Sequence, residues 1–393
     1  MFDRFPEPVA DPLHAVMARC RADVRPGKMD LGVGVYRDAR GASPIMKAVR
    51  EAELWLAGAG DTKAYQALAG DHEFLDAMTS LVLGNAHPAV REGRVAAIQG
   101  TGGTGCLRIA MDLAKIAAPG ARLLLGVPSW PNHAALALAA GLELTTHPYL
   151  DVPGQAIDLD AIMAAARDAR AGDLFVLHGP CHNPTGADLS REQRLELLAI
   201  LAERGAVPLI DAAYYGLGDG LQADLDIVRE AASSVPRAFI AVACSKSFGL
   251  YRERTGILFA ICADAGERDR VQGQMEKTSR TLVSMPPAHG AAIVARVLGD
   301  PELRAAWEEE LAGMRARIID LRAELAALSN EAPILAGIDR QRGIFRMLPL
   351  SPQQTERLGS EYGIHLAQSG RINIAGLKRG DAPRLARALA EIV

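Results

Sequence analysis

With 393 residues, 49% hydrophobic and 23% charged, the chain has the make-up of a globular protein large enough for about two to three domains. A net charge of −4 and a pI near 6.2 give no basic surface for nucleic acid or an anionic membrane. Five scattered cysteines point to reduced, buried thiols rather than a disulfide framework or a metal site, and only seven residues are lysines.

The residues from Met1 to Pro8 lack the apolar core of a secretion signal, and the longest apolar run, Ala134 to Leu142, is too short to cross a bilayer. A cytoplasmic protein is expected. An amphipathic helix is predicted over Asp11 to Arg25, then an extended run Met29 to Tyr36, where Gly32 and Gly34 signal either close approach to a ligand or a tight turn. From residue 41 helix and strand alternate. Helices are predicted over Met46–Leu56 and Gly70–Leu83, then strand Arg94–Gln99 and helix Cys106–Ala117. Strands Arg122–Val127, Leu142–Tyr149, Leu174–His178, Val207–Asp211, Phe239–Ser245 and Ile257–Cys262 follow. The helices between them are His133–Ala140, Asp158–Arg170, Arg191–Arg204 and Ala223–Ser233, the third opened by the capping pair Ser190 and Gln193. Such alternation with apolar strands predicts an α/β fold with a mostly parallel sheet, and ligand groups at the strands' carboxyl ends. A long helical region interrupted at Pro286-Pro287, a helix Pro301–Leu328 and a smaller α+β part complete the chain.

Gly100-x-Gly102-x-x-Gly105 matches the dinucleotide fingerprint, but the next strand ends Leu125-Gly-Val-Pro128 with no carboxylate for a ribose. A nicotinamide or flavin dinucleotide is therefore rejected. The loop still suits a phosphate at a helix N-terminus, with Gly103 and Thr104 nearest. Ser245 and Lys246 close an apolar strand, and Arg254 follows eight positions after the lysine. Amine, hydroxyl and guanidinium together describe a Schiff-base pocket for a phosphorylated aldehyde such as pyridoxal phosphate. A loop lysine ending a strand accounts for this window equally well. Three more strand ends carry Trp130, Asn183, and Asp211 with Tyr214. A ring to stack on a cofactor, an amide, and a carboxylate that needs a buried cation are the groups a pyridoxal pocket uses. Each alone is more often structural; four strand ends in the required order are not.

With these motifs the sequence resembles the class I aminotransferases of fold-type I pyridoxal phosphate architecture, nearest the aspartate and aromatic amino acid group. The resemblance rests on Val33-Gly-Val-Tyr36, Thr62-Lys-x-Tyr65, Gly102-Gly-Thr-Gly105, Ser129-Trp-Pro-Asn-His133, His182-Asn-Pro-Thr-Gly186, Asp211-x-Ala-Tyr214, Ser245-Lys-x-Phe-Gly249, Arg252-x-Arg254, Pro286-Pro-x-His-Gly290 and Ser369-Gly-Arg-Ile-Asn-Ile-Ala-Gly376. It implies a large cofactor domain over 41–310 and a small domain from 1–40 and 311–393, in a homodimer with shared active sites. Lys246 would hold the cofactor as a Schiff base and move the substrate proton. Asp211 would face the ring nitrogen with His133 behind it, Asn183 and Tyr214 the ring oxygen, and Trp130 the ring. Gly103, Thr104, Ser245 and Arg254 would take the phosphate, joined by Tyr65 of the neighbouring subunit. Arg371 would clamp the substrate α-carboxylate, helped by Asn183 and the backbone at Gly34. Arg280 would cross the interface to a side-chain carboxylate. The implied reaction is transfer of an amino group from an aromatic amino acid or aspartate to a 2-oxo acid such as 2-oxoglutarate; the alternatives are an aspartate-preferring aminotransferase with little aromatic activity, or β-elimination on the same scaffold. Val283, Tyr215 and Gln66-Ala67 depart from the group's usual tyrosine, glutamine and glycine-containing version, which bears on the substrate side only.

Overall fold

In the computed structural model, residues 1–5, 12–59 and 62–393 are described. The predicted first helix forms as Pro12–Ala22; its expected start, Asp11, lies outside the described residues. Seven strands make one sheet: β1 Val95–Thr101, β2 Arg122–Val127, β3 Glu143–Pro148, β4 Leu174–His178, β5 Val207–Ala212, β6 Ala238–Ala243 and β7 Thr255–Ile261. Their spatial order is β1-β7-β6-β5-β4-β2-β3, and only β7 runs against the others.

Both faces are covered, and the two-residue period of the strands sorts their side chains. Leu123, Leu125, Leu174 and Val176 enter the main core, while Leu124 and Phe175 pack beneath helices Leu159–Asp168 and Arg191–Arg204. The capping box of Ser190 and Gln193 forms as predicted. A separate apolar cluster joins Met29 and Leu31 to Leu321, Leu335, Ile372 and Leu385. The extended run predicted from Met29 to Tyr36 pairs only over Met29–Asp30, in parallel with Ile364–His365, because its later residues spend their carbonyls elsewhere: Val33 and Val35 accept from the Asn373 amide.

Two boundaries moved for a local reason. The helix expected from Cys106 starts at Gly102, so the glycines form its first turn rather than a loop before it. The strand expected through Ser245 ends at Ala243, and Cys244–Ser247 makes one helical turn closed by the Phe248 N–H on the Cys244 carbonyl. That turn lifts Lys246 off the sheet edge.

The 27-residue helix Pro301–Ala327 contributes Trp307 and Leu311 to the main core and Leu321 and Leu325 to the second cluster. Arg322 on it is 2% exposed and donates to the carbonyls of Ile338, Arg342, Gly343 and Phe345. Burial first pulls its pKa down to about 9, and no carboxylate among the described residues pairs with it. Arg322→Met would leave four carbonyls without this donor, and we expect it to lower the unfolding free energy by about 3 kcal/mol or more, read as a fall in the urea midpoint.

Candidate active site

The carboxyl ends of β1, β2, β4, β5 and β6 open on one cleft of about 890 Å³. Because β7 is antiparallel, its first residue Thr255 lies at the same edge and brings Arg254 there as well. Gly103, Thr104, Trp130, Asn183, Asp211, Tyr214, Ser245, Lys246, Arg254, Arg371 and Gly34 all line this cleft.

At one end stands an anion cradle. Helix Gly102–Ala117 directs its N-terminus at the cleft with no acidic residue in its first turn. Gly102 has φ +67°, and a Cβ there would lie 2.7 Å from the Arg254 guanidinium, so only glycine lets that cation approach the helix end. Ser245 adds its hydroxyl. Helix N-terminus, hydroxyls and guanidinium are the donor set of a phosphate site.

In the middle, the Lys246 amine lies 4.9 Å from the centre of the Tyr214 ring. Desolvation first, then the Arg254 and Arg371 guanidinium groups, hold its pKa below the ordinary lysine value, with Asp211 opposing. Burial drives the Tyr214 hydroxyl well up, keeping it protonated as a donor. Trp130 meets the buried His133 edge-on at 5.2 Å.

Asp211 spends Oδ2 on His133 Nε2 at 3.0 Å, and its other oxygen is left for the cleft. Burial raises its pKa, but the hydrogen bond from His133 and the electrostatic pull of His133, His178 and Lys246 outweigh this, and the carboxyl is held below its usual range. Behind it runs a chain whose proton positions follow from one fixed donor. The Asn183 N–H donates to His178 Nδ1 at 3.4 Å, and burial keeps His178 neutral, so Nε2 carries its proton toward Ser129 Oγ at 3.1 Å. The Ser129 hydroxyl then donates to His133 Nδ1 at 3.0 Å, leaving His133 Nε2–H to donate to Asp211.

Beyond Lys246, Arg371 donates to Asn183 Oδ1 at 3.3 Å and to the Gly32 carbonyl at 2.9 Å, and lies 4.3 Å from the Phe345 ring centre. Its buried Nε has no partner. The Gly32 carbonyl thus anchors Arg371 from outside the cleft, while Gly34 lines the cleft and gives room to Phe345, whose ring would meet a Cβ there at 2.7 Å. The Asn183–Pro184 bond is cis.

Tyr65 and Arg280 are not in the cleft of their own chain. Tyr65 is 92% exposed and Arg280 is exposed too. The segments that carry them meet where the Gln66 N–H reaches the Met285 sulfur at 2.9 Å. Sequence reasoning gave no role to Phe345, nor to Ser129 and His178 beyond their place in motifs. Phe345 sits in a short predicted strand of the C-terminal part and carries no signal of its own.

A carboxylate held charged beside a histidine, a desolvated amine, an anion cradle and a buried arginine fork, all at the carboxyl ends of a doubly covered α/β sheet, define a cofactor-dependent enzyme acting on amino acids. The chain belongs to the family of class I and II aminotransferases, whose model matches residues 26–389. It is 47% identical over 388 residues to a tyrosine aminotransferase of Rhizobium meliloti, covering 98% of each chain. To an aspartate aminotransferase of Salmonella typhi it is 38% identical over 396 residues, covering 100% of each. The structure of an aromatic-amino-acid aminotransferase from Burkholderia pseudomallei, covalently bound to pyridoxal phosphate, superposes with a TM-score of 0.96 at 38% identity, over 100% of this chain and 99% of that one. The fold is that of the fold-type I aminotransferases.

Proposed function

We propose that the protein is a pyridoxal phosphate-dependent transaminase that takes the amino group of an aromatic amino acid or aspartate and passes it to a 2-oxo acid such as 2-oxoglutarate, in two half-reactions. One observation carries this reading: an amine of depressed pKa, the free oxygen of Asp211 and the Arg371 fork face a single cleft. The aromatic side of the reading draws on the 47% identity to a tyrosine aminotransferase.

The residues fit the cofactor. Gly103, Thr104, Ser245 and Arg254 would hold its phosphate, Trp130 would face its ring, Asn183 and Tyr214 would meet its ring oxygen, and Lys246 would take its aldehyde carbon. Bound pyridoxal phosphate supplies an electron sink for the pair left at the substrate Cα. Asp211, kept anionic and backed by His133, holds a proton at the ring nitrogen. Arg371 binds the α-carboxylate as a fork and so orients the Cα–H bond toward Lys246. Lys246, freed from the aldehyde carbon when the substrate amine takes its place and held below the ordinary lysine pKa by desolvation, would take that proton and return it on the other side of the transfer.

The reading includes a homodimer in which Tyr65 and Arg280 of a second copy complete each site. It is supported by their exposure and by that of the apolar side chains of Leu54, Trp55, Leu282 and Val283. It includes a large domain over 41–310 and a small one from 1–40 and 311–393, a division that the separate apolar cluster of Met29, Leu31 and the C-terminal residues supports. Cytoplasmic residence is supported by five unpaired buried cysteines. Small molecules are the partners proposed, without nucleic acid or membrane; among the described residues no helix is long and apolar enough to cross a bilayer.

The test is an absorbance spectrum of the purified protein with pyridoxal phosphate, before and after adding phenylalanine or aspartate without any oxo acid. The cofactor band should bleach, and the donor that bleaches it faster names the substrate class. A protein that takes up no pyridoxal phosphate, or releases ammonia instead of retaining the amino group, overturns the reading.

A further inference from the structure

Asn183 reaches three partners in the site, all at long range: His178 at 3.4 Å, Tyr214 at 3.5 Å and Arg371 at 3.3 Å. Its position is therefore set from behind. The two residues before it donate their backbone N–H groups to the two oxygens of one carboxylate, Cys181 to Asp188 Oδ2 and His182 to Asp188 Oδ1, each at 2.8 Å. Cys181 has φ +67°, a left-handed conformation that a residue with a Cβ adopts only when held. From this twist the chain turns through the cis Asn183–Pro184 bond and closes with the Gly186 N–H on the His182 carbonyl at 2.7 Å.

The geometry points to Asp188 as the positioning residue for Asn183: by taking both N–H groups it holds Cys181 left-handed and so aims the Asn183 amide between Tyr214 and Arg371. This rests on the transaminase reading, in which Asn183 serves both cofactor and substrate. Desolvation raises the Asp188 carboxyl to about 6 against the pull of those two N–H bonds, with Asp224 raising it and Arg194 lowering it. A carboxylate that resists ionisation is a poor choice for stability alone.

The test uses the loaded enzyme and Asp188→Asn, whose amide keeps one acceptor and turns a donor toward the second N–H. Two readouts are followed: the pH midpoint of the bound cofactor's absorbance band, and the binding of 3-phenylpropionate, a carboxylic acid with no amino group. Both should move as they do in Asn183→Ala, with binding about tenfold weaker. Adding Cys181→Gly to the variant should recover most of each change, because glycine takes φ +67° without a clamp. A variant that folds and titrates as the parent does overturns the role of Asp188 alone. So does a double variant that recovers nothing, or a failure of both variants to fold, which would make Asp188 a scaffold residue. A parent that shows no cofactor band overturns the transaminase reading and this role with it.

Discussion

Lys246→Ala is expected to leave a folded protein that still takes up pyridoxal phosphate and yet turns over at least about 10⁴-fold more slowly. The binding half of this follows from the separation of parts in the cleft. The anion cradle at Gly103, Thr104, Ser245 and Arg254 is built on helix Gly102–Ala117 and the start of β7, and none of it depends on the Lys246 side chain. The kinetic half follows from the lack of a substitute base. Tyr214 is held protonated by burial, Asp211 is tied to His133, and Arg371 stays a cation, so no other group lining the cleft offers an amine to take the proton. Equilibrium dialysis against the cofactor and single-turnover kinetics with the better donor check the two halves independently. Retention of more than about one hundredth of the parent rate would remove Lys246 from the proton transfer.

Asp211→Asn should lower kcat by about 10²–10⁴-fold with a much smaller change in the KM for the amino donor. The split is expected because Asp211 faces the cofactor end of the cleft, whereas the substrate carboxylate is held by Arg371. An asparagine keeps the hydrogen bond from His133 Nε2 through its own oxygen, so the chain back through Ser129 and His178 is preserved and only the charge is lost. The pH dependence carries a sign. The folded pKa of Asp211 lies below the ordinary carboxylate value, so the group remains anionic through the neutral and mildly acidic range. A loss of rate in the parent between about pH 5 and 7 must then arise from another group, and the Asp211→Asn enzyme should show the same acidic limb at a lower plateau. A variant that loses that limb would overturn the assignment of the charge.

What could be read from the residues divides along a physical line. Strands β2, β4, β5 and β7 announced themselves as apolar runs because burial on both faces demands it, and the helices between them by their period. The residues at the strand ends could be read too: a lysine after serine, an aspartate closing an apolar strand and an Asn-Pro turn are each ordinary alone, and it is their order along one set of strand ends that points to a ligand. The helix start at Gly102 was misjudged because glycine signals a turn in isolation, and the turn it makes here is the first of the helix.

Residue chemistry and spacing alone fix the alternation of elements, the order in which chemical groups reach the sheet's edge, and the candidate amine, carboxylate and arginine. Those are local properties, set by side-chain chemistry and by periods of two and 3.6 residues. Long-range packing is what turns β7 backward so that it delivers Arg254, sets the Gly32 carbonyl on Arg371 and packs Phe345 against that guanidinium. It also decided that Tyr65 and Arg280 stay outside the cleft of their own chain, and that Ser129, His178 and Asp188 stand behind the reacting groups. Each of these is a contact between residues far apart in the chain, or a side-chain direction set by such contacts. No local period encodes them; they exist only once the sheet has brought its strand ends together.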